Sequence, residues 1–198
     1  MATKRPSARE RLLQTADRLF YAEGVHAVGI DRIIEEAGVA KGSLFYNFAN
    51  KEALVEAYLD GRDQQRRNRV EKYLDGLEDP VEKILAVFDA LQEVVERPDW
   101  NGCPFANANA EAPADGMEAR ALKRFRGWMS DLLLGFAREA GFKDPSNVGS
   151  KLVVLYDGAV ANSNLDAHPG AVRMARDMAA QVLNGADRDS GDRQPSRV

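Results

Sequence analysis

The stretch Gly29–Leu54 constrains the fold of this chain more than any other part of the sequence. Its first half predicts a short helix whose apolar residues share one face: Ile30, Ile33, Ile34 and Ala37. Gly38 follows at once, where a left-handed backbone costs a glycine little and a helix can end. The stretch therefore predicts two short helices joined by a tight turn.

The second short helix is predicted from Lys41 to Phe48. Leu44 and Phe48 lie four residues apart, so they share the face that packs inward, and Val39 is the apolar residue of the turn. The polar residues that remain outside are Lys41, Ser43, Tyr46 and Asn47. A helix of this size fits the ~12 Å major groove of B-DNA, so the pattern is typical of a helix-turn-helix.

Cap residues predict the other helices. Helix starts are indicated by the Ser7/Glu10 capping box, Asn50, Asp79-Pro80, Asp144-Pro145 and His168-Pro169. The helices so predicted run from Ser7 to Gly24, Lys51 to about Leu77, Asp79 to Pro98, Cys103 to Ala112, Met117 to Ala140, Asp144 to about Asn164, and His168 to about Leu183. We therefore predict an all-α fold of nine helices: a three-helix helix-turn-helix head in residues 1–50, a six-helix body in 51–185, and a disordered polar tail in 186–198.

Composition narrows the class of protein. The 198 residues are 44% hydrophobic and 29% charged, with a net charge of −4, and no apolar run approaches the ~20 residues of a membrane span. Residues 1–51 carry eight Lys and Arg against six Asp and Glu, which permits nucleic-acid contact by the head. Cys103 is the single cysteine, and His26 and His168 show no metal-ligand spacing. We expect a cytoplasmic protein with no membrane contact, metal or cofactor.

The same stretch resembles the DNA-binding domain of the TetR family of bacterial transcriptional regulators. The strongest match is Ala37–Phe48 followed by Asn50–Leu54, and Leu12–Phe20 with Gly24 resembles the first helix of that domain. The resemblance implies contacts to bases or phosphates from Lys41, Ser43, Tyr46 and Asn47, a phosphate contact from Lys51, and close backbone approach at Gly42. The implied DNA-binding set also includes Phe45, where the family often has Tyr and this chain lacks the hydroxyl. The family often has Thr where this chain has Gly29, so a side-chain cap and phosphate contact are missing at the second helix.

For the body, the resemblance implies a homodimer in which the last two helices form a four-helix bundle with a second copy. The residues that permit this interface are Leu152, Leu155, Tyr156, Ala159, Val160, Ala175, Met178 and Val182. The alternative is that these apolar stripes are buried within one subunit. The resemblance also implies a small-molecule effector in a pocket of the middle helices. Candidate lining residues are Tyr73, Phe88, Trp100, Cys103, Phe105, Asn107, Asn109, Phe125 and Trp128.

The sequence leaves several functions open. The main hypothesis is a repressor, not an enzyme, that binds a palindromic double-stranded operator as a dimer and is released by a small molecule. An electrophile-responsive regulator that uses Cys103 is the alternative within the same fold, against an inert buried thiol. A helical enzyme or ligand carrier, and an activator or DNA-architectural protein, are further alternatives. The basic run Arg62, Arg66, Arg67, Arg69 and Lys72 either pairs with acidic neighbours, remains solvated or steers DNA.

Overall fold

The computed structural model describes residues 6–165 and 170–188. In these ranges the chain forms nine α-helices and no strand, apart from one isolated bridge between Phe142 and Arg188. The helices are α1 (Ala8–Glu23), α2 (Ile30–Ala37), α3 (Lys41–Asn47), α4 (Lys51–Leu74), α5 (Pro80–Val95), α6 (Pro104–Ala110), α7 (Met117–Glu139), α8 (Pro145–Leu165) and α9 (Gly170–Gly185). The predicted all-α fold is confirmed.

Four of the described helices, α1, α4, α5 and α8, begin where a side chain caps free backbone N–H groups. The Ser7 hydroxyl accepts from the Glu10 N–H at 3.2 Å while the Glu10 carboxylate accepts from the Ser7 N–H at 2.6 Å. Asp79 accepts from the N–H of Val81 at 2.8 Å ahead of α5. Asp144 and Asn50 cap α8 and α4 in the same way. The predicted start at His168-Pro169 lies outside the described residues.

Two helix ends differ from the prediction. Helix α4 ends at Leu74, short of Leu77, because Gly76 takes a left-handed φ of 75° and turns the chain. Leu77 continues the apolar pattern of α4 without being part of the helix. Helix α6 spans Pro104–Ala110, one residue shorter at the start than predicted because Cys103 is its N-cap.

The described chain divides into two compact units. The first comprises the chain up to Arg67 together with Asn101–Phe125, and the second comprises Asn68–Trp100 together with the chain from Arg126 onward. The functional boundaries at residues 50 and 185 stay a prediction. Within the predicted tail, residues 189–198 lie outside the described part. The main-chain carbonyl of Asp187 accepts from the N–H of Lys143 at 3.0 Å.

The core of the first unit holds α1, α2 and α3 together. The side chains of Leu12, Ile33 and Leu44, one from each helix, are fully buried. Arg11 reaches from α1 to the end of α2, where its guanidinium donates to the carbonyls of Ala37 at 3.2 Å and Gly38 at 2.9 Å. These bonds satisfy carbonyl groups that the end of a helix leaves free.

In the second unit α9 packs against α8 and α5. Leu152 of α8 and Leu183 of α9 are buried there. Arg176 of α9 forms an ion pair with Asp89 of α5 at 2.7 Å. Among the described residues, no helix has both the length and the apolar character that crossing a membrane requires.

Candidate nucleic-acid interface

The turn between α2 and α3 has the helix-turn-helix geometry that the sequence predicts. Gly38 adopts φ 60° and ψ 44°, a left-handed conformation that ends α2 and costs a residue with a Cβ atom about 1–2 kcal/mol. The N–H of Val39 then donates to the main-chain carbonyl of Ile34 at 3.3 Å. Helix α3 begins two residues later. Leu44 is fully buried and Phe48 is 4% exposed, so the inward face of α3 is fixed.

The opposite face of α3 is open. Tyr46 is 90% exposed and Phe45 is 50% exposed. At Gly42, apart from its chain neighbours and its own helix backbone, no described heavy atom lies within 4 Å of the position where a Cβ atom would stand. Two aromatic rings and a short stretch of accessible backbone therefore occupy the surface that the sequence assigns to DNA.

Two of the predicted contact residues are partly used within the helix itself. Ser43 and Asn47 are half-buried, and the Asn47 amide nitrogen donates to the Ser43 carbonyl at 2.7 Å. The second N–H of the Asn47 amide, its Oδ1 atom and the hydroxyl of Ser43 are left to contact a ligand.

The two predicted lysines lie at the starts of helices. Lys41 is exposed and its Nζ is 3.0 Å from the Asp31 carboxylate of α2. Lys51 is half-buried, and its Nζ donates to the His26 carbonyl at 3.4 Å. An ammonium group has three donors, so neither contact exhausts the lysine.

Sequence reasoning missed Arg9, whose guanidinium carbon lies 5.2 Å from the centre of the Phe48 ring. Arg9 is exposed, so it places a further positive charge beside the end of α3. The two residues are far apart in sequence, and no spacing rule relates them. Gly29, at the start of α2, makes no side-chain cap within the described chain, as its lack of a side chain predicts.

An ion-pair network joins α1 and α2 behind this surface. Arg32 pairs with Glu23 and Glu36, and Arg18 also pairs with Glu36. Hydrogen bonds from Arg32 to Glu23, and from Arg18 and then Arg32 to Glu36, hold the pKa of each carboxyl below its usual value. The same bonds raise the pKa of Arg32. Asp31, which contacts Lys41, is outside this network.

The predicted effector residues are divided between the two units. In the first, Phe105 and Phe125 are buried and stack with ring centres 4.8 Å apart, and Asn107 donates to the Asn101 carbonyl at 2.6 Å. Cys103 is 8% exposed, and Asn109 is half-buried. The Asn107 amide, which the sequence offered to a ligand, therefore has a partner in the protein.

In the second unit, Phe88 is fully buried with its ring edge-on to Tyr156 at 6.0 Å. Tyr73, Trp100 and Trp128 are half-buried. Burial and a hydrogen bond with Glu93 raise the pKa of Tyr73. The indole N–H of Trp100 is buried and has no hydrogen-bond partner among the described residues. Phe88 is thus a core residue, whereas Trp100 has an unused donor.

The predicted dimer residues fall on two faces. Leu152, Tyr156, Ala159 and Ala175 are buried inside their own unit. Leu155, Val160 and Val182 are half-buried, and Met178 is 46% exposed. Sequence reasoning missed two exposed apolar neighbours, Val154 at 70% and Met174 at 58%. A groove between α8 and α9 is lined by Ser150, Lys151, Val154, Leu155, Met178, Gln181 and Val182.

The basic run on α4 is engaged within the protein. Arg62 makes a two-bond contact with Asp17 at 2.6 and 2.9 Å. Arg67 pairs with Asp63, and Arg69 and Lys72 approach Glu93. Arg66 is 7% exposed and lies 4.3 Å from the centre of the Phe125 ring. The basic residues of α4 therefore contact acidic or aromatic neighbours and do not form a free basic face.

Among the described residues, no group of three or more His, Cys, Asp or Glu side chains is placed to hold a metal ion.

Comparison with known proteins identifies the family. Residues 12–58 match the family model described as "Bacterial regulatory proteins, tetR family". The crystal structure of SCO4454, a TetR-family transcriptional regulator from Streptomyces coelicolor, is 35% identical, covers 89% of this chain and 94% of its own, and superposes with a TM-score of 0.84.

Two curated relatives extend the comparison. The HTH-type transcriptional regulator YxaF of Bacillus subtilis is 29% identical over 84% of this chain and 91% of its own. The HTH-type transcriptional repressor KstR2 of Mycolicibacterium smegmatis is 34% identical over 46% of this chain and 44% of its own. With the helix-turn-helix geometry of α2 and α3, these matches show that the chain belongs to the TetR family of DNA-binding transcriptional regulators.

Proposed function

We propose that the protein is a repressor that binds a palindromic operator as a homodimer and is released by a small molecule. The observation that carries the proposal is the open face of α3, with Tyr46 90% exposed, on a helix whose other face is fixed by buried Leu44. A relative that matches 46% of the chain is named a repressor. Regulators of this family are generally not enzymes, and the proposal requires no catalysis.

In this proposal α3 enters the major groove with its exposed aromatic residues toward the bases. The Tyr46 hydroxyl can donate to or accept from a base edge or phosphate, and the Phe45 ring suits the methyl group of thymine. Gly42 lets the backbone approach the duplex closely. Ser43 and the Asn47 Oδ1 atom supply the remaining polar contacts.

The phosphates would be held by positive charges around α3. Lys41, Lys51 and Arg9 lie at the starts of α3 and α4 and beside the end of α3. Such contacts fix the register of the protein on the duplex without reading its sequence. They also make affinity fall as salt concentration rises.

We propose that the second copy packs on the groove between α8 and α9. Val154, Met174 and Met178 are exposed there, and contiguous exposed apolar side chains of this kind mark contact sites on soluble proteins. A twofold dimer uses the same patch on both copies. It would place two α3 helices on half-sites about 34 Å apart or a multiple of that distance.

The effector is proposed to bind in the helical body. Support comes from the half-buried aromatic residues of the second unit and from the buried Trp100 N–H, because a buried donor without a partner is costly and a ligand acceptor would satisfy it. Binding releases DNA only if the effector has a higher affinity for the dimer shape that does not fit the operator.

The structure provides no observation that favours the electrophile-responsive alternative. The Cys103 thiol is buried at the start of α6 and fills space in the first unit. Treatment with an electrophile, with and without the substitution Cys103→Ser, would detect such a role as DNA release by the unsubstituted protein alone.

The test of the proposed function is selection of duplexes from a random pool by the full-length protein, followed by footprinting and sedimentation of the complex. We expect a palindromic consensus, protection of both half-sites, and two copies per duplex. In vivo, deletion of the gene should raise expression from promoters that carry the consensus. Absence of duplex binding at low salt, or a non-palindromic site bound by one copy, would contradict the proposal.

A further inference from the structure

The segment Asn101–Glu111, which includes α6, is attached to α1 at its start. The Tyr21 hydroxyl donates to the Gly102 carbonyl at 3.0 Å and accepts from the Asn101 N–H at 2.8 Å. The Asn101 side-chain amide donates to the Tyr21 carbonyl at 2.7 Å. Tyr21 is 8% exposed, so its bond to Gly102 is buried, and the two bonds to Asn101 are partly buried. Together they fix the two parts of the chain against each other.

The other end of the segment is attached to the turn between α1 and α2. The Glu111 carboxylate accepts from the His26 N–H at 3.0 Å. Its second oxygen lies 2.6 Å from the position that a Cβ atom would occupy on Gly24, whose φ is 95°. The carboxylate thus sits directly against the main chain of the turn, and Gly24 leaves room for it.

Between these attachments, α6 is anchored in the same unit. Phe105 of α6 stacks on Phe125, and the guanidinium of Arg66 lies over the Phe125 ring at 4.3 Å. Phe105 and Phe125 are 2% and 4% exposed. The segment is therefore held at its start, middle and end within the unit that contains α1, α2 and α3.

The main chain of His26 joins the end of the segment to the proposed DNA-binding surface. Its N–H is bound by Glu111, and its carbonyl accepts from Lys51 Nζ at 3.4 Å. Three residues later, Gly29 caps α2. The turn therefore contacts Lys51 and leads directly into α2, although Glu111 lies far from both in sequence.

We propose that Glu111 and Tyr21 are positioning residues for DNA binding. The segment Asn101–Glu111 then helps to hold the DNA-binding surface in place. Glu111 acts through the His26 main chain on Lys51 and α2, and Tyr21 holds the segment in register on α1. Neither side chain contacts DNA. The proposal rests on the DNA-binding surface proposed above.

The experiment measures affinity for the best duplex from the random-pool selection, by fluorescence anisotropy with full-length protein. We expect Glu111→Ala to weaken binding about three- to tenfold, the range that loss of one hydrogen bond produces. Glu111→Gln keeps an oxygen acceptor and should restore most of the affinity. Tyr21→Phe, which removes the hydroxyl but not the ring, should weaken binding to a similar extent.

Controls and a structural readout separate positioning from simple destabilisation. Glu139→Ala makes the same chemical change as Glu111→Ala in the second unit and should bind DNA like wild type. Hydrogen exchange should be faster at the His26 amide in Glu111→Ala, with the cores of both units unchanged.

Wild-type affinity in Glu111→Ala or in Tyr21→Phe would overturn the proposal and leave the proposed function intact. Equal loss in Glu111→Gln and Glu111→Ala would also overturn it, because charge rather than the hydrogen bond would then matter. Faster exchange throughout the chain would attribute the loss to unfolding and overturn it as well. If wild-type protein binds no duplex while remaining folded, both proposals fall.

Discussion

The residues of α3 divide into two groups by burial. Leu44 is fully buried and holds the helix in place, whereas Tyr46 is 90% exposed and makes little contact with its own chain. Substitutions on the two faces should therefore separate stability from DNA affinity. A buried leucine replaced by alanine costs about 2–5 kcal/mol of folding stability, while exposed positions change stability by less than about 0.5 kcal/mol.

Tyr46→Ala should weaken binding to the selected duplex by about 1–3 kcal/mol and leave the thermal midpoint of unfolding unchanged. Anisotropy titration and differential scanning calorimetry measure the two quantities. Tyr46→Phe is the matched variant that separates the hydroxyl from the ring. Unchanged affinity in Tyr46→Ala would remove this residue from the DNA-binding surface.

The lowered pKa values of Glu23 and Glu36 predict a pH dependence. Their carboxyls lose protons more readily in the folded than in the unfolded protein, so the ion pairs contribute stability above the ordinary pKa of 4.5 and lose it as pH falls through the lowered values. Because the groups are exposed, the contribution is small. In Arg32→Gln, carbon-13 NMR titration should find the pKa of Glu23 close to 4.5.

Measuring the stability of Arg32→Gln at several pH values provides a control. The difference in thermal midpoint between wild type and Arg32→Gln should be present at about pH 6 and shrink as pH falls through the lowered pKa values of the two carboxyls. Glu36 should retain part of its lowered pKa through Arg18. A pKa of Glu23 that does not move would show that Arg32 is not its main partner in solution.

At the scale of helices and turns, local chemistry sets where each element begins and ends. Ser7, Asn50, Asp79 and Asp144 cap helices at the positions that the sequence predicts, because a cap bonds a backbone group only two or three residues away. Gly38 ends α2 because its backbone is left-handed. Because such features act over a few residues, most helix starts and ends could be predicted from the sequence.

Gly38→Ala should lower the free energy of unfolding by about 1–2 kcal/mol, because alanine is strained at φ 60°. The nearest atom to the added Cβ is Arg11 Nη1 at 3.7 Å, an ordinary contact, so crowding adds little. Chemical denaturation measures the change. The matched control is Gly127→Ala in the interior of α7, where no described heavy atom lies within 4 Å of the added Cβ.

Gly127→Ala should raise stability by about 0.5–1 kcal/mol, since alanine loses less backbone freedom than glycine on entering a helix. A lower free energy of unfolding in Gly38→Ala together with a higher one in Gly127→Ala would confirm that backbone conformation governs both effects. A neutral Gly38→Ala would mean that the turn relaxes to another conformation.

Contacts between residues far apart in sequence were not predictable from pattern. The bonds of Tyr21 to Asn101 and Gly102, and of Glu111 to His26, join positions some 80 residues apart, and neither spacing nor periodicity relates them. The periodic stripe on α8 likewise does not distinguish burial within one chain from contact with another. Leu152 proves to be buried, and Val154, two residues away, is exposed.

At the scale of the whole molecule, apolar side chains of α8 and α9 are exposed in the described part of a single chain. Val154, Met174 and Met178 line neighbouring surface of the second unit. A second copy would cover them, and dimer formation would then be required for high operator affinity because each copy supplies one half-site.

Met178→Asp should shift sedimentation of the protein from dimer to monomer, because an isolated charge in an apolar interface is costly to bury. Affinity for the palindromic duplex should fall with it, while binding to a single half-site remains. Ala114→Asp places the same charge on an exposed loop of the first unit and should sediment like wild type. A dimeric Met178→Asp with full affinity would contradict the proposed interface.

The space around Gly42 allows substitutions at this position. A Cβ atom added at this exposed position meets no described atom within 4 Å beyond its chain neighbours and its own helix backbone, and most residues favour a helix more than glycine does. Variants at Gly42 would therefore fold as before while presenting a new group to the promoter. A duplicated copy of the gene could in this way acquire a different target by one substitution, without first losing its structure.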